Sequence, residues 1–439
     1  MNTKNDLESL MLPEGFVCPS CGRRHTGGLG RLDISDGAIK HIPSILKELG
    51  GKEPFVLCDL NTYDAAGKDI CRILTDAGLN FHLHVVDQRM PKPDERIVGE
   101  ALMYCPTGAD SVIGVGGGVI NDTCKIISAA KKCPYIIAAT APSMDGFASA
   151  TSSMDRSGLK VSLPSKCADA VVGDLGILAG APAKLISSGV GDMIAKYTSI
   201  AEWKISHIIN EEYFCPHIAG MVTRALDECV SGAEKAIHGD KDACGNVMRG
   251  LLVAGMAMNA AGCSRPASGM EHYISHIIDM RSLAFGTPAE LHGIQCALAT
   301  LVTVRSYKKL AGITPDREKA LAYVSSFDPD KWSAHLREKL GAGAEAMIAG
   351  EAREHKYDKE KHRSRLERII ARWNEIKAVI DEMPSPDELE SLMRRTGLPV
   401  TPMEIGISDD DLHEAFIMAK DMRDKYVLGR LLWDLGLMA

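Results

Sequence analysis

The segment Ser111–Lys125, with the sequence SVIGVGGGVINDTCK, combines an apolar strand pattern, a run of three glycines and a helical pattern. Ser111–Val115 predicts a strand, Gly116–Gly118 its turn, and Val119–Lys131 the helix that follows. Glycines in such a turn let backbone N–H groups approach a pyrophosphate at the N-terminus of a helix. A glycine run by itself is equally consistent with a tight strand-to-helix turn, so other segments must decide between the two interpretations.

Alternating strand and helix patterns extend on both sides of this segment. Strands are predicted at residues 55–58, 81–86, 111–115 and 135–139, and helices at 62–77, 94–104 and 119–131. Strands separated by helices of about 10–15 residues are typical of βαβ units and a parallel sheet. We therefore predict a Rossmann-like α/β nucleotide-binding domain with a parallel sheet at residues 31–180, preceded by an irregular N-terminal extension, residues 1–30.

The pattern changes after residue 180 to long helices rich in Ala, Met, Leu and His. Helices are predicted at residues 184–209, 213–238, 244–263, 270–283, 292–311 and 316–324, with a closing helical region at 410–435. Few β-branched runs interrupt them, which favours helices over strands. We therefore predict that residues 181–439 form a second, all-α domain.

Composition limits the kinds of partner that the chain can have. A length of 439 residues predicts two domains, and a net charge of −8 argues against nucleic acid and anionic membranes as partners. The 13 cysteines lie in apolar contexts, which fits reduced thiols better than a disulfide framework. The polar N-terminus lacks the apolar core of a signal peptide, and no apolar run approaches the length of a membrane span. These features predict a cytoplasmic protein.

Candidate metal ligands cluster in and around Ser264–Met280, with the sequence SRPASGMEHYISHIIDM. His272 and His276 are four residues apart and therefore share one face of a helix. With Asp192 before them and His292 after them, they offer a donor set that suits a borderline divalent metal with one open position. Spacing alone favours the simpler interpretation, two structural histidines.

Two further features suggest a nucleotide, each with a structural alternative. Asp59 ends a predicted strand well before the glycine turn, whereas the usual Rossmann order places the ribose-binding acid about 20 residues after it. Asp59 could accept hydrogen bonds from a ribose and repel a 2′-phosphate, or it could cap a helix. The loop Thr140–Ser153 follows a strand and carries hydroxyls, an acid and a glycine, more polar groups than a purely structural turn requires.

The N-terminal extension contains Cys18-Pro19-Ser20-Cys21-Gly22, followed by His25. A CxxC followed by glycine resembles half of a zinc knuckle. A closed structural zinc site needs four ligands, and the chain has no second CxxC. We therefore favour a turn that carries two thiols over a bound metal.

Five motifs, in order, resemble the sn-glycerol-1-phosphate dehydrogenases, most closely the bacterial AraM-type branch. They are GVGGGVINDTCK, TAPSMDGFASATSS, GVGDMIAKYTSIAEWK, SRPASGMEHYISH and LHG. The resemblance covers roughly residues 30–310 and places the chain in the wider group of glycerol dehydrogenase, dehydroquinate synthase and the iron-containing alcohol dehydrogenases. Residues 311–439 carry no motif that adds to it.

The resemblance implies a dehydroquinate-synthase-like fold with NAD, or alternatively NADP, and one divalent metal in the cleft between two domains. The implied metal ligands are Asp192, His272 and His292. The implied cofactor contacts are Asp59, Gly116, Gly117, Gly118, Val119, Ile120, Asn121, Asp122, Thr140, Ser143 and Ser149. The implied catalytic and substrate-contacting residues are His276, Asp145 and Asp192.

The implied reaction is the reversible NAD-dependent reduction of dihydroxyacetone phosphate to sn-glycerol 1-phosphate, a step of phospholipid biosynthesis. Arg265 and Lys196 are candidates for the substrate phosphate, or simply ion-pair partners. Lys196 also stands where the iron-containing alcohol dehydrogenases have a further histidine, which favours nickel or zinc over iron. We expect a homodimer. The alternatives are a glycerol or other small polyol dehydrogenase and, less favoured, a nucleotide- and metal-binding regulator without turnover.

Overall fold

The computed structural model of the chain describes residues 3–157 and 159–438. It divides into two compact units, each described here by itself. The first unit comprises Met1–Met193 and His217–Ser264, and the second comprises Ile194–Pro216 and Arg265–Ala439. The first unit thus combines the predicted sheet region with helices that come later in the chain.

The strands identified in the described residues lie in the first unit. They are β1 Phe16–Val17, β2 Arg24–His25, β3 Arg31–Ser35, β4 Pro54–Asp59, β5 His82–Val86, β6 Ser111–Gly116, β7 Tyr135–Ala139, β8 Thr151–Arg156, β9 Leu159–Pro164 and β10 Ala170–Asp174. Six of them form one parallel sheet in the order β3-β10-β7-β6-β4-β5. The pairs β1–β2 and β8–β9 form separate antiparallel hairpins.

Helices make up most of the remaining structure. They are α1 Thr3–Leu10, α2 Ile42–Glu48, α3 Leu60–Thr62, α4 Lys68–Asp76, α5 Glu95–Tyr104, α6 Gly118–Lys131, α7 Leu175–Ala179, α8 Ala183–Ile194, α9 Lys196–Asn210, α10 Pro216–Ile237, α11 Lys241–Ala261, α12 Met270–Phe285, α13 His292–Ala311, α14 Arg317–Ser326, α15 Pro329–Leu340, α16 Ala344–Glu354, α17 Lys359–Ala371, α18 Trp373–Asp381, α19 Pro386–Arg395, α20 Asp409–Ala419 and α21 Leu428–Asp434. Within residues 3–157 and 159–438, no helix has both the length and the apolar composition needed to span a bilayer.

The sheet confirms the predicted α/β fold class. Strands β4, β6, β7 and β10 are buried along their whole length, as expected for a parallel sheet covered by helices on both faces. The predicted strands and the helices that connect them are confirmed. Strands β3 and β10 were not among the predicted strands, because RLDIS is mostly polar and AVVGD ends in glycine and aspartate, which are uncommon in strands.

Two predicted helices are interrupted in the structure. The predicted helix at residues 62–77 begins with α3, passes through a π-helical turn at Tyr63–Gly67 and continues as α4. The predicted helix at residues 184–209 is two helices, because α8 ends at Ile194 and α9 begins at Lys196. The prediction of one continuous helix there was wrong, and the break falls where the two units separate.

The second unit is helical throughout its described residues, which confirms the predicted all-α C-terminal region. A buried carboxylate, Asp421, joins several of its late helices. It accepts hydrogen bonds from Trp332 Nε1, at 2.9 Å, and from Lys420, Arg430 and Tyr357. Although burial opposes ionisation, the charges of Lys420 and Arg430 hold the pKa of Asp421 well below its usual range. These contacts give residues beyond 311 a role in stability.

In the first unit, the loop after β7 packs closely on α8 and α11, and two glycines make this possible. A Cβ added to Gly189 would lie 1.8 Å from the carbonyl oxygen of Pro142, and one added to Gly255 would lie 2.5 Å from that of Asp145. Ser188 Oγ donates to the carbonyl oxygen of Ser143 at 3.1 Å. Side chains at either glycine would therefore push this loop away from the helices that support it.

Candidate active site

The glycine turn opens the N-terminus of α6. Strand β6 ends at Gly116, Gly117 is the extended residue before the helix, and α6 begins at Gly118. A Cβ on Gly116 would lie 2.7 Å from Ile120, whereas one on Gly117 would have Ser143 Oγ, at 4.0 Å, as its nearest neighbour. Gly116 is therefore required for packing, while Gly117 leaves space in front of the first N–H groups of a 14-residue helix. That arrangement suits a pyrophosphate.

Two of the predicted cofactor residues, Asn121 and Asp122, point towards other protein groups. Asn121 Nδ2 donates to the carbonyl oxygen of Gly146 at 3.3 Å, and its Oδ1 accepts from the hydroxyl of Tyr135 at 3.1 Å. Asp122 Oδ2 accepts from the backbone N–H of Ser153 at 2.8 Å. Both side chains therefore hold the segment that follows β7 against helix α6.

Lys125 is the centre of this arrangement, although the sequence analysis gave it no role. Its side chain is fully buried, and Nζ donates to the carbonyl oxygens of Gly146, at 2.6 Å, and Thr151, at 2.9 Å. It also contacts Ser149 Oγ at 3.1 Å and Asp122 Oδ1 at 3.3 Å. Burial raises the pKa of Asp122, and the charge of Lys125 opposes that rise. The sequence indicated this role only through the position of the lysine, which falls on the otherwise buried face of helix α6.

The predicted hydroxyl contacts fall into two groups. Thr140 and Ser143 are both more than nine-tenths buried, and the backbone N–H of Thr140 donates to the carbonyl oxygen of Gly116 at 3.2 Å. They therefore lie beside the glycine turn. Ser149 Oγ donates to the carbonyl oxygen of Gly146 at 3.1 Å and accepts from Lys125, so its visible contacts are those of a loop residue.

Asp59 caps helix α3, one of the two roles considered for it. Its Oδ1 accepts from the backbone N–H of Thr62 at 2.8 Å, and its own N–H donates to Thr62 Oγ1 at 2.9 Å. Burial raises the pKa of Asp59, while the hydrogen bonds with Thr62 oppose the rise. Since β4 pairs in parallel with β6, Asp59 lies at the same edge of the sheet as the glycine turn.

The first unit also brings together the two predicted acidic residues of the catalytic set. The backbone N–H of Asp145 donates to Asp192 Oδ2 at 2.8 Å, and one carboxylate oxygen of each residue lies within 4.8 Å of the other. Asp192 is fully buried in α8, while Asp145 is half-buried at the start of a 3-10 turn. The loop that α8 and α11 support therefore places Asp145 next to Asp192.

In the second unit, α12 and the start of α13 bring three histidines together. The ring centroids of His272 and His292 lie 5.0 Å apart, and the rings of His276 and His292 stack at 5.8 Å. His272 Nδ1 lies 2.8 Å from Glu271 Oε1. Because an ionised carboxylate can only accept, His272 donates its Nδ1 proton to Glu271, which makes Nε2 the ring atom suited to a metal. Metal-ligating histidines are typically held in this way.

His292 has a comparable partner at its Nδ1 atom. Ser275 Oγ lies 3.1 Å from His292 Nδ1, and Gln295 Nε2 donates to that hydroxyl at 3.0 Å and to Asp279 at 2.9 Å. Cys296, one turn after His292 on α13, places its Sγ 3.6 Å from His292 Nε2. The ligand atoms of His272, His292 and Cys296 all lie within 4.8 Å of one another. Cys296 is thus a further candidate ligand that the sequence analysis missed.

Two buried glutamates on either side of Gly269 support α12, and both were missed from the sequence. Glu271 accepts from the N–H of Gly269 and from Thr198 Oγ1, each at 2.6 Å. Although burial opposes it, these bonds and His272 hold the pKa of Glu271 below its usual range. Glu202 accepts from the N–H of Met270 at 2.8 Å, and burial together with Glu271 raises its pKa to about 8. A Cβ on Gly269 would lie 2.5 Å from Glu202 Oε2.

Comparisons with known proteins identify the family. Residues 33–182 match the iron-containing alcohol dehydrogenases. Glycerol-1-phosphate dehydrogenase (NAD(P)+) from Bacillus velezensis is 32% identical over 396 residues, which cover 90% of this chain and 88% of that protein. The chain belongs to the glycerol-1-phosphate dehydrogenase family. The family predicted from the five motifs is confirmed.

Two further comparisons extend the likeness to nearly the whole chain. Glycerol-1-phosphate dehydrogenase (NAD(P)+) from Halalkalibacterium halodurans is 28% identical over 412 residues, or 93% of each chain. The crystal structure of glycerol dehydrogenase from Schizosaccharomyces pombe is similar with a TM-score of 0.59 at 15% identity, covering 93% of this chain and 89% of that one. The structural likeness shows the fold, and it confirms the predicted fold class.

The two candidates for the substrate phosphate make structural contacts in this family member. Arg265 is almost completely buried, its Nε and Nη2 atoms pair with Glu212 at 2.8 and 2.5 Å, and its Nη1 donates to the carbonyl oxygen of Tyr426 at 2.9 Å. The interpretation of Arg265 as an ion-pair partner is thus confirmed. Lys196 Nζ, also buried, donates to the carbonyl oxygen of Ala267 at 3.0 Å.

We expect Lys125→Met to lower the free energy of unfolding by about 3–5 kcal/mol at pH 7, because it leaves the carboxylate of Asp122 buried without its cation. The second substitution Asp122→Asn should recover part of that loss, since the pair is coupled. Urea denaturation of both single variants and the double variant measures this coupling. Equal and additive losses would contradict it.

The loss of stability in Lys125→Met should depend on pH in a defined direction. The folded-state pKa of Asp122 is raised, so its contribution to stability is present below the unfolded pKa and lost as pH rises through the folded pKa. Without Lys125 the folded pKa should rise further. Lys125→Met should therefore be less destabilising at pH 5 than at pH 7, and a pH-independent loss would contradict this assignment.

Proposed function

We propose that this member of the family catalyses the reversible NAD(P)H-dependent reduction of dihydroxyacetone phosphate to sn-glycerol 1-phosphate. The observation that carries the proposal is the pair His272 and His292, whose rings lie 5.0 Å apart and whose Nδ1 atoms contact Glu271 and Ser275, as in histidines held for a metal. The names of the relatives supply the substrate and the nucleotide. Cytoplasmic location, a homodimer and a role in phospholipid biosynthesis remain predictions from the sequence.

The residues proposed to hold the divalent metal are Asp192, His272 and His292. One carboxylate and two imidazoles fit a borderline ion such as zinc or nickel, and three protein ligands leave a position open. When bound, the metal supplies Lewis-acid polarisation of a carbonyl oxygen. We favour zinc or nickel over iron because Lys196 replaces the further histidine of the iron-containing alcohol dehydrogenases. Cys296 is the alternative ligand.

The residues proposed to bind the nucleotide surround the carboxyl ends of β4, β6 and β7. The N–H groups at the start of α6, beginning with Gly118, bind the pyrophosphate in front of Gly117. Thr140 and Ser143 contribute hydroxyls beside the turn. Asp59 accepts hydrogen bonds from a ribose through the part of its carboxylate that faces away from Thr62, and its charge disfavours a 2′-phosphate. NADH is therefore the preferred hydride donor.

Two residues are proposed to act on the substrate. His276 carries a proton that passes to the C2 oxygen of the product, directly or through a water, because an imidazole titrates close to neutral pH. Its stacking against His292 keeps it beside the proposed metal position. Asp145, held by its N–H bond to Asp192, positions a substrate hydroxyl.

We expect metal-free protein to be inactive and to regain NADH oxidation with dihydroxyacetone phosphate when it is reloaded with zinc or nickel. The assay compares Ni²⁺, Zn²⁺, Fe²⁺ and Mg²⁺, with elemental analysis of each preparation. Dihydroxyacetone without the phosphate is the control substrate. Full activity in protein shown to be metal-free would contradict the proposal, and a preference for the unphosphorylated substrate would favour a polyol dehydrogenase.

We expect His276→Ala to keep its metal and its NADH affinity but to lower kcat by about 10²–10⁴-fold, the usual loss when a positioned proton donor is removed. His272→Ala should instead lose the metal. His413→Ala, an exposed histidine on α20, is the matched control and should change neither quantity. Metal content and kcat are measured on the same preparations. Loss of metal from His276→Ala would make His276 a ligand, and an unchanged kcat would leave it a structural residue.

A further inference from the structure

The N-terminal hairpin gathers three metal-ligating side chains in a compact turn. Strands β1 and β2 pair through Phe16 with His25, and the chain between them turns back on itself. The N–H of Cys18 donates to the carbonyl oxygen of Arg23 at 2.8 Å, and the N–H of Gly22 donates to that of Cys18 at 2.9 Å. Gly22 has a φ of +69°, the left-handed conformation that this turn needs. The turn therefore holds its two cysteines next to the returning strand.

The ligand atoms of this hairpin lie close enough together to share one metal ion. Cys21 Sγ lies 3.3 Å from His25 Nε2, and one ligand atom from each of Cys18, Cys21 and His25 lies within 4.8 Å of the others. The edges of a zinc tetrahedron with sulfur and nitrogen ligands are about 3.6–3.8 Å, from bond lengths of about 2.0–2.3 Å. Cys18 and His25 are 2% and 1% exposed, so the site is shielded from water.

His25 is held in the tautomer that a metal ligand requires. Its Nδ1 lies 2.7 Å from the carbonyl oxygen of Ala260, on α11. A carbonyl oxygen can only accept, so His25 donates its Nδ1 proton and directs the lone pair of Nε2 towards the thiols. The same contact anchors the hairpin to a long helix of the first unit.

We propose that Cys18, Cys21 and His25 bind one structural zinc ion. Two thiolates and one imidazole supply three of the four ligands that a structural zinc site needs. The site shares no residue with the proposed catalytic centre and does not depend on the proposed function. Under this proposal, CPSCG is one half of a zinc site and not merely a turn that carries two thiols. The other ligands lie outside the CxxC motif. Its role is to fasten the N-terminal hairpin.

The test measures zinc content and a cobalt spectrum on the full-length protein. Cobalt bound by thiolates shows an intense charge-transfer absorption in the near ultraviolet, which aspartate and histidine ligands do not produce. We expect that band in the wild-type protein and in Cys296→Ser, which removes the only thiol proposed near the catalytic metal. X-ray absorption of the zinc form should show sulfur neighbours at about 2.3 Å.

Variants assign the ligands. Cys18→Ser and Cys21→Ser should each lose about one equivalent of zinc after dialysis against a mild chelator, together with the cobalt band. Cys133→Ser, a buried cysteine in the same unit, is the matched control and should keep both. The site is overturned if wild-type protein shows no thiolate band or if Cys18→Ser keeps its zinc. Unchanged zinc and band in Cys21→Ser would overturn the assignment of that ligand. The wild-type and Cys296→Ser spectra alone show whether thiolates bind the metal. The proposal therefore stays testable even if another cysteine variant fails to fold.

Discussion

The hydrogen bond between Glu271 and His272 is the contact on which the histidine pair of the second unit depends. A carboxylate buried beside Gly269 is costly unless it is paired, and here Thr198, the N–H of Gly269 and the imidazole all donate to it. The same bond holds the ring of His272 through its Nδ1 atom. Ser275 and Gln295 form a neutral version of this arrangement at His292. These two sets of interactions hold both imidazoles in place, and the first also stabilises the start of helix α12.

The first unit is organised around a buried charge of the opposite sign. Lys125 donates to the backbone of Gly146 and Thr151 and balances Asp122, so the loop that carries Asp145 is held from the side of α6. Gly189 and Gly255 let α8 and α11 support the same loop from the other side. In each unit, one buried ionic group therefore holds the segment that carries the proposed site residues. The position of Asp145 therefore depends on Lys125, which holds the backbone of the next residue, Gly146.

Strands and helices that have a clear pattern within a short stretch of sequence could be predicted. Strands β4, β6 and β7 are continuous apolar runs, the glycine turn begins α6 as expected, and the His272–His276 spacing correctly implied a shared helix face. Strand β3 is mostly polar and β10 ends in Gly173 and Asp174, residues that are uncommon in strands, so their pairing is visible only in three dimensions. Lys125 donates to groups 21 to 26 residues away and Glu271 accepts from a hydroxyl 73 residues away, and no spacing rule finds these contacts. His25 follows Cys21 by four residues, but only the structure shows its Nε2 beside Cys21 Sγ. The site assignments themselves stay predictions, and only their local geometry is now described.

The measurement that tests this account most directly is the metal affinity of Glu271→Gln, determined by competition with a chromogenic chelator at pH 7. Glutamine keeps an acceptor oxygen but removes the charge that orients His272, so the account predicts a 10–100-fold weaker affinity, roughly the usual cost of losing such a partner. Glu202→Gln is the matched control, because burial already keeps Glu202 largely protonated at that pH and glutamine resembles the neutral acid. Equal metal affinity in wild type and a folded Glu271→Gln variant would contradict the account.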